Sequence, residues 1–270
     1  MPTLCSVDAP AMERDFYRLY RQFFDLAEKK RRWSIKDDIP WTQVNRSMDP
    51  AIADVVESFC AVEMYLPDYV ENAMSMFRTS RARVWFYANW GYEESKHSLA
   101  LGDWLLRSGL RTDEEMNDLE SRIFQEQWSV PHDSPVAMLI YAMAQELATA
   151  LNYRNLRGPV DDQGDGALSR ILALLRVDEM AHHGFFLKAV RLYLRHDRQG
   201  TLEQIRRVLH NFQMPALHML ADSSQRVADI KALQVYSEEI YMREVYLPIM
   251  DALGVEWWEL RRSRSRPKSA

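Results

Sequence analysis

Trp90-Gly-Tyr-Glu93-Glu94-Ser-Lys-His97 and Asp178-Glu179-Met-Ala-His182 are the two stretches that decide the fold. Each holds a Glu-x-x-His. At a spacing of three on a helix, both side chains share one face, and two ligands can reach one metal ion. Chance produces a single Glu-x-x-His often, so the stripe around each motif carries the argument. Tyr87, Trp90, Glu94, His97, Leu101 and Trp104 fall on one face, while Glu93, Lys96, Asp103 and Arg107 fall mostly on the other. Around the second motif, Leu172, Leu175, Glu179, His182 and Phe186 line up. Both motifs therefore point into apolar surroundings, where a carboxylate is costly unless it is paired or binds a metal.

Two further glutamates behave alike. Glu63 shares a stripe with Val56, Phe59, Leu66 and Val70, and Glu146 with Leu139, Ala142, Thr149 and Tyr153. The order along the chain is Glu, Glu-x-x-His, Glu, Glu-x-x-His. The gaps are 31 residues from Glu63 to Glu94 and 33 from Glu146 to Glu179. This two-fold repeat of helix pairs matches the ligand pattern of a dinuclear carboxylate centre in a four-helix bundle. Four carboxylates and two imidazoles (Glu63, Glu94, His97, Glu146, Glu179 and His182) suit iron or manganese. Any one of the six could be a surface residue or half of a buried pair; six in order at matched spacing are poorly explained that way. His183 points about 100° away from His182 and reads as a packing residue. His132, His196, His210 and His218 have no matched partners.

The rest of the chain agrees with an all-α class. Of 270 residues 47% are hydrophobic, enough for a sizeable core, and only nine are glycine, about half the usual share. Apolar residues recur every three or four positions, with no alternating β pattern. Helices are expected over about 11–32, 50–78, 81–108, 113–127, 135–158, 167–195 and 225–253, with shorter ones in 200–222. Pro159 to Gly166 reads as a loop. No linker divides the chain, so one helical domain over 1–260 is expected, followed by a basic tail, 261–270, that reads as disordered. A net charge of -5 argues against a nucleic-acid binder. Cys5 and Cys60 cannot build a disulfide framework. The longest apolar run, Val136 to Ala144, is too short for a membrane span, and the N-terminus shows no signal-peptide pattern. A cytoplasmic protein is expected.

With these residues in view, the sequence resembles the soluble acyl-acyl-carrier-protein desaturases, di-iron enzymes of the ferritin-like superfamily. Glu63-Met-Tyr-Leu66-Pro67-Asp-Tyr69, Trp90-Gly-Tyr-Glu93-Glu94-Ser-Lys-His97, Gln145-Glu146-Leu-Ala-Thr149, Asp178-Glu179-Met-Ala-His182 and Met214-Pro215-Ala216 are similar to stretches of that family. Trp33-Ser-Ile-Lys-Asp37-Asp-Ile-Pro40 is a weaker match. The resemblance covers about 33–220. The chain departs in its compressed interval between Glu63 and Glu94, and the region after about 222 has no clear counterpart.

The matched positions also have physical readings of their own. Pro67 cannot donate to the carbonyl of Glu63, so the helix should bend or loosen there. Thr149 lies on the Glu146 face, where its hydroxyl could help deliver a proton; the ordinary alternative is a bond back to its own backbone. Asp178 is off the ligand stripe and could accept the outer N–H of His97; the alternative is a solvated charge. The resemblance implies the same role for Asp178, and a relay through Trp33, whose plain alternative is packing.

The resemblance further implies a ferritin-like four-helix bundle with flanking helices, two iron ions, O2 as oxidant, an acyl carrier protein thioester as substrate, a ferredoxin-type electron donor and a homodimer. The reaction implied is desaturation of a saturated acyl chain, with Thr149 and Asp178 as its helpers. Manganese is an alternative ion and coenzyme A an alternative carrier. Gly164-Asp-Gly166 is not a dinucleotide fingerprint, so electrons should come from a separate protein. A basic docking patch is expected for an acidic carrier. Lys29 to Arg32 and the cations from Arg261 are candidates, against the ordinary reading of solvated charges. Two other readings stay open: hydroxylation or N-oxygenation of a tethered intermediate on the same centre, and non-catalytic ferritin-like iron handling.

Overall fold

Four long segments form the centre of the fold, and each carries part of the repeat: α2 (Pro50–Glu63), α4 (Arg81–Ser108), α6 (Pro135–Asp162) and α7 (Gly166–His196). The computed structural model describes residues 10–261, and all regular structure among them is helical. The helices α2 and α4 pack as one pair, and α6 and α7 as the other, with α4 against α7 and α2 against α6 closing the ring. The first helix, α1 (Pro10–Lys30), lies across α4 and α7. The remaining helices, α3 (Leu66–Met76), α5 (Asp113–Ile123), α8 (Arg198–His210), α9 (Ser223–Ala232), α10 (Glu238–Ile240), α11 (Leu247–Leu253) and α12 (Trp257–Arg261), flank this bundle. The basic tail beyond residue 261 and Cys5 lie outside the described residues.

Local sequence explains the ends. Asp49 accepts the Ala51 N–H and Pro50 opens α2. Thr112 and Glu115 form a reciprocal capping box on α5. Gly109 closes α4 at φ 76°, a left-handed position where a side chain would be strained. Asp165 caps α7 through the Leu168 N–H and also accepts from Asn45 N and Trp104 Nε1. One buried carboxylate thus ties the start of α7 to α4 and to the segment before α2.

Three boundaries differ from the sequence reading. The expected helix over 50–78 divides after Glu63, and α3 begins with Pro67 at its second position. Proline offers no N–H to the Glu63 carbonyl, so the loosening expected there becomes a break. The expected loop from Pro159 to Gly166 is shorter, because α6 continues through Pro159 to Asp162. Extending the helix buries Val160 completely beside Leu156, and a proline near a helix end removes one internal bond only. The expected helix over 225–253 is two pieces, α9 and an unbroken run from Glu238 to Leu253. The chain turns at Gln234 (φ 55°), buries Val235, restarts at the Ser237 cap and runs as a π-turn over Tyr241–Tyr246. That π-turn directly precedes Pro248, which has no N–H for the carbonyl four residues back.

Candidate metal centre

Glu63 ends α2, Glu94 and His97 lie mid-way along α4, Glu146 sits in α6, and Glu179 and His182 in α7. All six are buried. Their ligand atoms fall into two groups, each with every atom within 4.8 Å of the others: Glu63, Glu94, His97 and Glu179, and Glu94, Glu146, Glu179 and His182. Glu94 and Glu179 belong to both groups. Each group is completed by one further glutamate and one histidine. Such a layout could hold two adjacent cations, with Glu94 and Glu179 available to both.

The donor set tests whether metal ions fit. Both histidines turn Nδ1 inward. His182 Nδ1 is 2.8 Å from Glu94 Oε1, and His97 Nδ1 is 3.2 Å from Glu179 Oε1 and 3.4 Å from Glu94 Oε2. Yet His182 Nδ1, His97 Nδ1, Glu94 Oε1 and Glu179 Oε1 are buried without a well-formed hydrogen bond. Buried polar atoms are normally satisfied. Lone pairs converging in this way are satisfied together by cations. Four carboxylates this close cannot all ionise unless positive charge lies among them. Burial, then the Glu94 charge, pushes Glu63 well above the usual carboxylate range. Burial, then Glu179, does the same to Glu146. Glu179 goes the other way: burial opposes its ionisation, but hydrogen bonds with Glu146, His182 and His97 outweigh it. The residues fit a dinuclear metal centre.

Outer contacts fix each ligand. Tyr153 donates to Glu63 Oε1 at 2.7 Å, and Trp90 Nε1 donates to Glu146 Oε1 at 3.1 Å. His182 Nε2 meets Glu93 Oε2 at 2.7 Å, and His97 Nε2 lies 3.6 Å from Asp178 Oδ2. The acidic residue before each motif glutamate therefore serves the histidine of the other helix. Arg31 joins the two acids, donating to both Glu93 and Asp178, while Arg32 binds Glu93 and Trp33 Nε1 donates to Asp178 at 2.7 Å. Burial opposes the charge on Glu93, but His182 and Arg31 hold its carboxyl below the usual range. Asp178 is held at about 2: burial opposes its charge as well, but the imidazoles and Arg31 prevail.

These contacts correct two readings and show which bond Thr149 makes. Glu93 and Lys96 are not on a solvated face. Both are buried, and the Lys96 ammonium lies 3.9 Å from the Trp33 ring centroid. Arg31 and Arg32 are not free docking charges, since they turn inward to Glu93 and Asp178; of that cluster only Lys29 and Lys30 are exposed. The Thr149 hydroxyl donates to the Gln145 carbonyl at 3.1 Å, the ordinary helical bond. Asp178, read as an acceptor for His97, accepts from Trp33 Nε1 and lies 3.6 Å from His97 Nε2, beyond hydrogen-bond length. Tyr153 read only as a stripe residue and Arg31 only as a docking cation, so neither was legible as a partner of the cluster. Glu93 did, because it precedes Glu94 as Asp178 precedes Glu179. His183 donates to or accepts from nothing in the cluster and pairs with the Met143 carbonyl at 2.8 Å.

A cavity reaches the centre from one side. Glu63, Glu94 and Glu179 form its floor, with Phe59, Val62, Thr149, Leu217, Ile230 and Tyr236 among its walls. The opposite side is closed by aromatic rings: Phe86 stacks on Phe185 with centroids 3.5 Å apart, and Phe23 packs against both and against His182. No helix among the described residues is long and apolar enough to cross a membrane.

Comparison with known proteins agrees with this arrangement. The family model described as fatty acid desaturase matches residues 26–267. Over 245 residues the chain is 24% identical to DesA1 of Mycobacterium tuberculosis, described as an acyl-[acyl-carrier-protein] desaturase, with 81% of this chain and 70% of that one covered. It is 27% identical over 172 residues to the chloroplastic stearoyl-[acyl-carrier-protein] 9-desaturase 1 of Oryza sativa, covering 62% of this chain and 45% of that protein. Among solved structures, DesA2 of M. tuberculosis H37Rv superposes with a TM-score of 0.68 at 15% identity, covering 93% of this chain and 98% of that one. An R2-like ligand-binding oxidase with an Mn/Fe cofactor superposes at 0.57 with 18% identity, covering 91% and 92%. The structural likeness establishes a ferritin-like helical fold.

Proposed function

Since the chain belongs to the type 2 fatty acid desaturase family and is an oxidoreductase of that kind, we propose that it introduces a double bond into a saturated acyl chain presented as an acyl carrier protein thioester. One observation carries the reading: two four-residue groups of buried donors share Glu94 and Glu179 at the floor of a largely apolar cavity. Glu63, Glu94, His97, Glu146, Glu179 and His182 would hold two iron ions, with manganese as the alternative. When bound, such a pair supplies the O2-dependent oxidation that removes two hydrogens from adjacent methylenes.

The chain's own residues supply the rest. Glu93 holds the outer nitrogen of His182, and Asp178 stands 3.6 Å from that of His97, so each imidazole turns Nδ1 to the cluster with an acid behind it. Phe59, Val62 and Ile230 line an apolar path that favours an alkyl chain and excludes water. Thr149 stands on the same wall. Rotating its hydroxyl away from Gln145 would aim a proton donor into the cavity. The described residues hold no dinucleotide fingerprint, so the two electrons per turnover are assigned to a ferredoxin-type carrier. Trp33, bonded to Asp178, is the expected way in.

The test combines metal counting with turnover. The protein is loaded anaerobically with ferrous iron, then given O2, ferredoxin, its reductase and saturated acyl carrier protein thioesters. Two irons per chain and products lighter by two hydrogens are expected. A product heavier by one oxygen would redirect the reading to hydroxylation. Failure to bind metal would overturn it.

A further inference from the structure

The cavity wall holds two polar groups with nothing to bind. Asn152 Oδ1 and the Tyr236 hydroxyl are buried without a hydrogen-bond partner, and both residues line the cavity that ends on Glu63, Glu94 and Glu179. Asn152 is only 4% exposed. Buried polar atoms are normally satisfied, and pressing one against an alkyl chain costs its hydration with no bond in exchange. Gln145, Thr149 and Asn152 follow at intervals of four and three, so they share one face of α6, and all three line the cavity. The wall that Phe59, Val62 and Ile230 make apolar is therefore polar along α6. Tyr236 comes to it from the other end of the chain. Gln234 turns the backbone there at φ 55°, a strained conformation for a residue with a side chain. Asn155 Nδ2 donates to the Val235 carbonyl at 2.9 Å and ties the segment to α6. Together these features hold a tyrosine on the cavity wall with its hydroxyl unmet.

We propose that the acyl group taken by this cavity carries a hydroxyl on its chain, held between Asn152 and Tyr236, and that a plain saturated chain is the poorer ligand. The inference rests on the acyl thioester reading above and narrows its substrate. The unmet groups state what would satisfy them. An amide offers an acceptor and two donors, and a phenol one of each. Among the described residues no cation lines the cavity, and its carboxylates all belong to the metal cluster. The matching group is therefore uncharged and both donates and accepts, as an alcohol does. An amide in the arm of the carrier has similar chemistry. But Asn152 adjoins Tyr153, which donates to Glu63, so the polar wall lies beside the metal cluster, where the reacting methylenes rather than the arm must sit. A hydroxyl seated there also sets which methylenes face the centre, whereas a bare alkyl chain can slide along apolar walls. A site built to bond a substrate hydroxyl rejects the analogue without it, because its own polar groups are then left unpaired.

The test reads binding and needs no turnover. The full chain, loaded with ferrous iron and kept anaerobic, is titrated by calorimetry with three kinds of ligand: a saturated acyl carrier protein thioester, matched thioesters hydroxylated at successive carbons, and the carrier with its arm but no acyl group. One hydroxylated chain should bind at least about 30-fold tighter than the plain one. Tyr236→Phe and Asn152→Leu should each cut that preference about tenfold, and Asn152→Leu should bind the plain chain tighter than wild type does. Circular dichroism and metal content check that each variant folds, and the wild-type preference stands as a test without them. Equal binding of plain and hydroxylated chains by wild type would overturn the proposal and leave the acyl reading intact. A loss in Asn152→Leu shared equally by every thioester and by the carrier without an acyl group would give these atoms to the arm, and overturn it as well. If no thioester binds, plain or hydroxylated, the acyl reading and the proposal fall together.

Discussion

Replacing Glu93 by glutamine separates the two halves of the centre. Glu93 touches no inward-facing ligand atom. It takes the outer nitrogen of His182 at 2.7 Å and is gripped by Arg31 and Arg32. Glutamine keeps the shape and an acceptor oxygen but loses the charge that makes the imidazole more basic. Loss of such an outer partner typically costs 10–100-fold in metal affinity, which is about 1.4–2.7 kcal/mol. The full range is expected here because the bond is short, charged and fully buried. The cost should fall on one ion only, the one served by His182. Asp178→Asn is the control with the opposite address. Its oxygen is 3.6 Å from His97 Nε2, beyond ordinary hydrogen-bond length, so the effect on the His97 ion should stay under about tenfold. Anaerobic titration against a chromophoric chelator, with cobalt(II) spectra reporting each site, reads both constants. If Glu93→Gln weakens both sites equally, or neither, then the crossed service of each histidine by the other helix has no energetic content and the argument fails.

Other consequences are equally direct. Glu94→Ala removes a ligand common to both groups, so metal content should drop from two ions per chain towards none, whereas Glu146→Ala should leave one; elemental analysis after desalting decides. Asp165→Ala strands the buried N–H groups of Leu168 and Trp104 and that of Asn45, and should cost about 3 kcal/mol in urea unfolding. Glu57 joins α2 to Arg226 of α9 and to Arg111. Burial opposes its charge, but those two guanidiniums hold its carboxyl below the usual range. Its stabilisation is therefore present above the unfolded carboxylate value of about 4.3 and is lost as pH falls through the lower folded value. Glu57→Ala should lose about 1–3 kcal/mol at pH 7, and its deficit against wild type should shrink below about pH 4.

The bundle was legible because its evidence is periodic. The stripes through Trp90, Glu94, His97 and Leu101, and through Leu175, Glu179, His182 and Phe186, state both the helices and their buried faces. Caps at Asp49, Thr112 and Ser134 state where helices begin. What stayed hidden depends on contacts between distant segments. Period alone places Glu93 a full 100° from Glu94 and makes it look solvated. It is buried because Arg31 and Arg32, sixty residues away in sequence, leave the end of α1 to meet it. The same event removed two cations from the apparent docking patch. Thr149 shows the opposite limit: a hydroxyl on the right face still chose its own backbone. The pieces of 223–253 escaped because a helical period says nothing of a turn at Gln234 that is set by burying Val235.

The duplicated pattern builds a nearly symmetric centre, and the departures from symmetry assign its two sides different work. Each half has a terminal glutamate held by an aromatic donor, Tyr153 for Glu63 and Trp90 for Glu146. Each has a histidine facing an acid of the other helix. But the cavity touches Glu63 and not Glu146, with neither histidine on its wall, while Phe23 and Phe86 close the His182 side. The backbone break after Glu63 also falls on the cavity side, where α2 gives way to α3. Glu146 sits instead inside the unbroken α6. On the proposed function, the ion that Glu63 and His97 would hold is the one beside the cavity, and its glutamate is the one that ends a helix. The ion that Glu146 and His182 would hold has Glu93 and two arginines behind it. The ligand set is repeated, but only one copy of its terminal glutamate stands at a helix end.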